Sequence, residues 1–208
     1  MKSYFDNINT RDRIVGSLSS VVDGFTEQEK IECLVAVMIE SLGLDMDSEE
    51  LEDTPYRISK MYSKELFSSL KEKPDFELTS FKSEYNHYIS MENIRYFSTC
   101  SHHFMPFFGE VNIAYFPSEK DSKILGLSKF PRIVKWLSKK PQTQEEFTKN
   151  IADFIMKELK PKGIFIRVTG KHTCVSARGI EEKDSNVTTQ VMLGEIDKNE
   201  VLQMWNRG

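Results

Sequence analysis

Two short segments, about seventy residues apart, hold most of the residues in this chain that can bind a metal. The sequence reads CSHH at 100–103 and HTC at 172–174, which together use two of the three cysteines and three of the four histidines. Thiolates and imidazoles are the ligands that zinc prefers. If both segments bind one ion, the fold has to bring them together.

The residue types also indicate which kind of metal site this is. Cys100, His103 and Cys174 can supply three ligands and leave a fourth position for water, as in a catalytic zinc site. His102 and His172 then stand beside the metal and are free to move protons. A closed structural site needs four protein ligands, so the chain would have to recruit one of these histidines. Because neighbouring residues rarely both bind one ion, the pattern favours the open, catalytic site.

Composition excludes several classes of protein. The 208 residues are 39% hydrophobic and 29% charged, as in a soluble globular domain, with a formal charge of −4 that argues against bulk nucleic-acid binding. No apolar run approaches a membrane span, and residues 1–6 lack the apolar stretch of a signal peptide. An odd number of cysteines does not make a disulfide framework, so we expect a reducing cytoplasm. Cys33 is interpreted as a structural residue in an apolar helical stripe.

The first third of the chain predicts helices. The segment TEQE at 26–29 is a capping box, and apolar residues recur after it at helical spacing until Gly43. Residues 53–55, with Pro55 near the first turn, open a second helix. Residues 71–84 are polar and predict a loop. We therefore expect an N-terminal helical region over 1–70 and a second, catalytic domain over 71–208.

From residue 88 onward, the pattern changes to strands enclosing two helices. Each metal segment lies at the end of a strand. The predicted order is strand–strand–helix–helix–strand–strand, with strands at 89–98, 110–116, 164–169 and 186–193 and helices starting near 126 and spanning 143–159.

Five segments, in this order, resemble the GTP cyclohydrolase I family, zinc enzymes that convert GTP to 7,8-dihydroneopterin triphosphate and formate. They are DTPYRISKMY at 53–62, STCSHHF at 98–104, GLSKFPR at 126–132, PQTQE at 141–145 and HTCVSARGI at 172–180. Where the family usually has a glutamate, this chain has Ser101. The resemblance implies an α+β tunnelling fold, in which a ββααββ unit closes with its copies into an antiparallel barrel. Closure removes open strand edges. The resemblance also implies a homodecamer of two facing pentamers, with active sites between subunits.

The resemblance further implies a role for individual residues. Cys100, His103 and Cys174 would hold Zn²⁺, His172 would act as an acid near N7 of guanine, and His102 near the ribose. Substrate contacts are implied for Glu145, which would accept hydrogen bonds from guanine, its neighbour Gln144, and the phosphate-binding set Arg57, Lys60, Ser128, Lys129, Arg132 and Arg178.

Two alternatives remain open. A divergent member could act on another guanine nucleotide or stop at the formamide, and a non-catalytic zinc-binding paralogue could regulate a partner. Loss of Glu145, His102, His172 or a zinc ligand would favour the paralogue, and the chain keeps all of them.

Overall fold

The computed structural model describes residues 16–17, 20–118 and 123–206. The chain forms two compact units, one ending at Glu65 and one beginning at Leu66. A functional division after residue 70 stays a prediction. Residues 1–6, on which the expectation of no signal peptide rests, lie outside the described residues.

The first unit is helical. Helix α1 spans Glu27–Ser41, and its capping box is confirmed because the Thr26 hydroxyl accepts from the Glu29 backbone while the Glu29 carboxylate accepts from the Thr26 backbone. Gly43 follows the helix with a φ of 73°, a conformation that glycine adopts without strain. Helix α2 spans Thr54–Lys60, with proline in its first turn, and continues into a π-helical turn over Met61–Leu66.

The second unit is built on a five-stranded sheet. Its strands are β2 Ile89–Cys100, β3 Pro106–Phe116, β5 Pro141–Gln142, β6 Gly163–His172 and β7 Val187–Gly194, in the spatial order β5-β2-β3-β6-β7. All neighbours are antiparallel except β5, which pairs parallel to β2. Helix α3 (Lys129–Leu137) and helix α4 (Gln144–Leu159) lie between β3 and β6 in the chain. The predicted ββααββ order and the α+β class are confirmed.

Several short elements were not predicted. The sequence predicts a loop over 71–84, but it contains β1 (Ser80–Lys82), which pairs with β4 (Lys123–Leu125), and a short 3₁₀ turn (Ser68–Leu70) precedes it. Three residues carry too little periodicity to be recognised without their partner strand. Helix α5 (Thr173–Ser176) directly follows β6, and helix α6 (Lys198–Trp205) ends the described chain.

The core lies between the sheet and helices α3 and α4. Phe107 and Val111 on β3 pack with Ile133 on α3 and with Phe147 and Ile151 on α4, and all five are fully buried. A smaller cluster joins α6 to the sheet, where the Trp205 and Phe165 rings stack with centroids 5.1 Å apart. Among the described helices, none is long and apolar enough to cross a membrane.

The strand registers bring the two metal segments to one end of the sheet. Thr99 at the end of β2 is opposite Pro106 at the start of β3, and Phe107 is opposite His172 at the end of β6. The parallel pairing of β5 places Gln142 opposite Cys100. Residues far apart in sequence therefore meet because the ends of β2, β5 and β6 and the start of β3 share this end of the sheet.

Candidate metal centre and active site

Cys100, His103 and Cys174 form a compact cluster of metal-ligand types. The two Sγ atoms and one ring nitrogen of the histidine all lie within 4.8 Å of one another. Cys100 is buried, Cys174 is half-buried and His103 is exposed. The cluster therefore has a covered base formed by the thiols and an open side toward solvent.

A tight turn between β2 and β3 positions the first two of these residues. The Cys100 amide donates to Met105 O at 2.8 Å, and the Phe104 amide donates to Cys100 O at 2.9 Å. Phe104 closes the turn with a φ of 53°. His102 is exposed on this turn, with its Nδ1 3.8 Å from Cys100 Sγ. His102 and His103 therefore project from the same turn beside the cluster.

The donor set fits a metal with the preferences of zinc. Zn–S bonds of about 2.3 Å and Zn–N bonds of about 2.0–2.1 Å put tetrahedral ligand atoms roughly 3.5–3.8 Å apart, which small side-chain movements within this cluster can reach. Burial raises the pKa of the Cys174 thiol, and contact with the Cys100 thiol raises it further, while Arg178 opposes the shift. A bound cation would favour the thiolate form of Cys174 and so would oppose this shift.

His172 stands at the end of β6, next to the cluster. Its ring stacks on Phe107 with centroids 4.6 Å apart and planes inclined by 4°, and its Nε2 lies 3.0 Å from Gln144 Oε1. Burial lowers the pKa of His172, and the nearby Glu145 carboxylate partly offsets this. The neutral imidazole is therefore the favoured form near neutral pH.

The start of helix α4 supplies the next pair of predicted residues. Thr143 caps the helix in a second capping box with Glu146. Glu145 is exposed in this first turn, whereas the Gln144 side chain is only 1% exposed and its amide is bonded within the protein. A substrate contact for Gln144 stays a prediction, and the structure shows a side chain directed into the protein.

The predicted phosphate-binding residues do not all lie near the cluster. Arg178 is exposed and close enough to Cys174 to affect its thiol. Ser128 and Lys129 follow Leu125, whose amide donates to Tyr115 Oη at 2.9 Å. Tyr115 is eight residues along β3 from Phe107, roughly 25 Å at the rise of a strand. Within one chain, Ser128 and Lys129 therefore lie toward the opposite end of the sheet from Cys100.

The remaining three basic residues are exposed on helices. Arg132 lies in the first turn of α3. Arg57 and Lys60 lie on α2 in the first unit, where Arg57 pairs with Asp53 at 2.9 Å. A pair of side chains that are both more than half exposed contributes little to stability.

Sequence reasoning missed the polar residues beneath the site. Gln142 is buried and donates from Nε2 to Leu137 O at 2.8 Å and to Ser98 Oγ at 3.1 Å. Thr189 on β7 contacts the Gln144 amide, and Tyr96 lies buried against the Phe147 ring. The sequence signal was weak, because polar residues are mostly exposed and only the strand registers bring these inward.

Comparison with known proteins identifies the family. Residues 31–206 match GTP cyclohydrolase I. The chain is 39% identical over 175 residues to GTP cyclohydrolase 1 of Clostridioides difficile, covering 83% of this chain and 90% of that protein. It is 40% identical over 170 residues to GTP cyclohydrolase 1 of Streptococcus mutans, covering 81% and 87% respectively.

One solved structure was compared with this chain, that of the archaeosine synthase QueF-Like in the apo form. The matched region covers 53% of this chain and 96% of the synthase chain, at 17% sequence identity and a TM-score of 0.39. That likeness is too low to support a conclusion about this chain. The family match extends over the cysteine and histidine cluster, the α4 start and the sheet that joins them, and the chain belongs to the GTP cyclohydrolase I family.

Proposed function

We propose that this chain is a zinc-dependent GTP cyclohydrolase I, which hydrolyses and rearranges GTP to 7,8-dihydroneopterin triphosphate and formate. The observation that carries the proposal is the cluster of Cys100, His103 and Cys174 beside two further histidines, in a chain of this family. These three residues hold the zinc in the proposal, and His102 and His172 do not bind it. When bound, zinc supplies Lewis acidity and lowers the pKa of a bound water toward neutrality.

The two further histidines exchange protons with the substrate in this proposal. His172 is half-buried and fixed on both sides, by the Phe107 ring and by Gln144, which suits proton transfer at a defined atom of the guanine imidazole ring. His102 is exposed on the β2–β3 turn and can follow the ribose as it opens and rearranges. Each ring opening and closing moves protons, so two such groups have distinct tasks.

Glu145 recognises guanine in the proposal. Its carboxylate is exposed in the first turn of α4 and lies close enough to His172 to influence that ring electrostatically. A carboxylate can accept from both N1–H and the 2-amino group of guanine, whereas adenine offers no such donor pair. Adenine would leave the carboxylate without partners, so this contact selects guanine.

The separation of the phosphate-binding residues supports active sites between subunits. Arg178 is held beside Cys174, but Ser128 and Lys129 lie toward the other end of the sheet in the same chain. We infer that a neighbouring copy brings Ser128, Lys129 and Arg132 to the triphosphate, in a homodecamer of two pentamers with a cytoplasmic location. Arg57 and Lys60 complete the set of phosphate contacts in this proposal.

The test is an assay of the purified, zinc-loaded protein with GTP. The pterin product, measured by its absorbance, and formate should appear in equal molar amounts. Cys174→Ser should abolish both, and the matched variant Cys33→Ser, which makes the same change on α1 outside the cluster, should keep both. Formate without pterin would identify an enzyme that stops early. Neither product, from folded and zinc-loaded protein, would overturn the proposal in favour of the non-catalytic alternative.

A further inference from the structure

The amide group of Gln144 has a single possible orientation. Its Nε2 lies 3.2 Å from Val168 O, 3.0 Å from Val187 O and 3.1 Å from Thr189 Oγ1. Two of these atoms are backbone carbonyl oxygens, which can only accept hydrogen bonds. If the amide were turned over, its own oxygen would face both carbonyl oxygens. The NH₂ group must therefore point to β6 and β7, and Oε1 must point to His172.

The hydroxyl groups around this amide also have a defined direction. Thr148 Oγ1 donates to Gln144 O at 2.7 Å, which uses its one hydrogen. At the 2.6 Å contact between Thr148 and Thr189, the donor must then be Thr189. The Thr189 oxygen is consequently left to accept from the Gln144 amide. Every member of this loop is satisfied with the same amide orientation, which makes a change of orientation costly.

We propose that Gln144 is a positioning residue that holds neutral His172 as the tautomer with its proton on Nε2. Because Gln144 Oε1 can only accept, the Nε2 atom 3.0 Å away must donate. Nδ1 makes no hydrogen bond to any residue that the structure describes. It is therefore the ring nitrogen that exchanges a proton with the substrate, a step that rests on the proposed function.

Two further features hold this arrangement in place. The stacked Phe107 ring restricts rotation of the imidazole. Gly170, two residues before His172 on β6, leaves space for two side-chain oxygens, since a Cβ there would overlap with Tyr96 Oη and would lie 2.8 Å from Gln144 Oε1. A side chain at 170 would push the acceptor away from the histidine. The backbone of β6 therefore provides both the histidine and the room for its partner.

The tautomer can be measured directly by nitrogen NMR of the zinc-loaded protein. The chain has four histidines, so protein labelled with ¹⁵N-histidine gives few signals, and those of His172 are identified by their loss in His172→Asn. At about pH 8, above the usual histidine pKa, we expect Nε2 of His172 to be protonated and Nδ1 to be bare. Gln144→Met should shift both nitrogens toward averaged values, because the acceptor is gone.

Thr189→Val is the matched control for the spectra. It removes one partner of the same amide but leaves Oε1 and both carbonyl acceptors, so the wild-type His172 pattern should persist. A proton on Nδ1 of His172 in the wild type would overturn the proposal. This outcome does not depend on whether any variant folds. An unchanged pattern in folded Gln144→Met would overturn it equally, since the tautomer would then not depend on Gln144.

Kinetics separate positioning from direct substrate binding. In the GTP assay, Gln144→Met should lower kcat about tenfold or more with KM little changed, because the loss lies in proton transfer. A raised KM with unchanged kcat would mean that Gln144 contacts GTP, which contradicts the proposal. If wild-type protein has no activity with GTP, the proposed function fails, while the spectra still decide the tautomer.

Discussion

A pair of tyrosine-to-phenylalanine substitutions should change stability in opposite directions. Tyr96 and Tyr115 are both buried in the second unit, at 3% and 0% exposure. The Tyr96 hydroxyl has no hydrogen-bond partner among residues 16–17, 20–118 and 123–206. The Tyr115 hydroxyl accepts from the Leu125 amide at 2.9 Å. The same atom is removed in both variants, so the difference between them reports whether that hydroxyl is hydrogen-bonded in the folded protein.

The structure sets the expected magnitudes. A buried hydroxyl without a partner costs about 1–3 kcal/mol. Tyr96→Phe removes that cost but leaves a small void, so the free energy of unfolding should rise by about 1 kcal/mol. Tyr115→Phe leaves the Leu125 amide of a buried residue unpaired and should lower it by about 1–3 kcal/mol. The two variants should therefore differ by about 2–4 kcal/mol.

Urea unfolding at one fixed protein concentration measures this difference. The concentration is kept equal because association of subunits would change the apparent stability. The slope of free energy against urea should match the wild type in both variants, so that the midpoints report stability alone. If Tyr96→Phe lowers the free energy of unfolding as much as Tyr115→Phe does, the Tyr96 hydroxyl has a stabilising partner and the reasoning is wrong.

Four further results are expected. Cys174→Ser should lose bound zinc while Cys33→Ser keeps about one ion per chain, which metal analysis of the purified proteins would measure. Full retention of zinc in Cys174→Ser would exclude Cys174 as a ligand. Glu145→Gln should lower kcat/KM for GTP by about a hundredfold, from roughly 3 kcal/mol of lost charge-assisted hydrogen bonds, and an unchanged value would refute guanine recognition by this residue. Arg178→Ala should raise KM for GTP with little change in unfolding temperature, because the side chain is exposed, and an equal KM would exclude a phosphate contact. Burial raises the pKa of Tyr96, so above about pH 10 the unfolded chain ionises this tyrosine while the folded chain keeps it neutral, and the wild type loses stability as the pH rises. The stability advantage of Tyr96→Phe should therefore grow above about pH 10, and a constant advantage would contradict the shift.

Local signals predicted the parts of the fold that depend on neighbouring residues. The helix predicted from the capping box at Thr26 starts where that signal places it, because the signal and the structure involve the same four residues. Strand β1 and helix α6 were missed. Strand β1 has only three residues and forms by pairing with β4, and α6 is a short helix packed on the sheet through Trp205.

The candidate site was likewise predictable from the sequence only in part. The metal-ligand types were visible in the sequence, because cysteine and histidine are scarce and were concentrated in two windows. The burial of Gln144 was not predictable, since a glutamine in the first turn of a helix usually faces solvent. Its inward position follows from the packing of α4 against β6 and β7, and no residue near it in sequence signals that packing.

The alternation of side chains between the two faces of β6 limits how this site can change over evolutionary time. Val168, Gly170 and His172 occupy alternate positions, so they share one face of the strand, while exposed Lys171 points the other way. Substitution at any of these positions leaves the alternation of the strand unchanged. Insertion or deletion of one residue between Val168 and His172 would instead turn the histidine to the opposite face, away from Gln144, with the sequence motif at 172–174 intact. A relative could thus carry the full motif and still lack a working site.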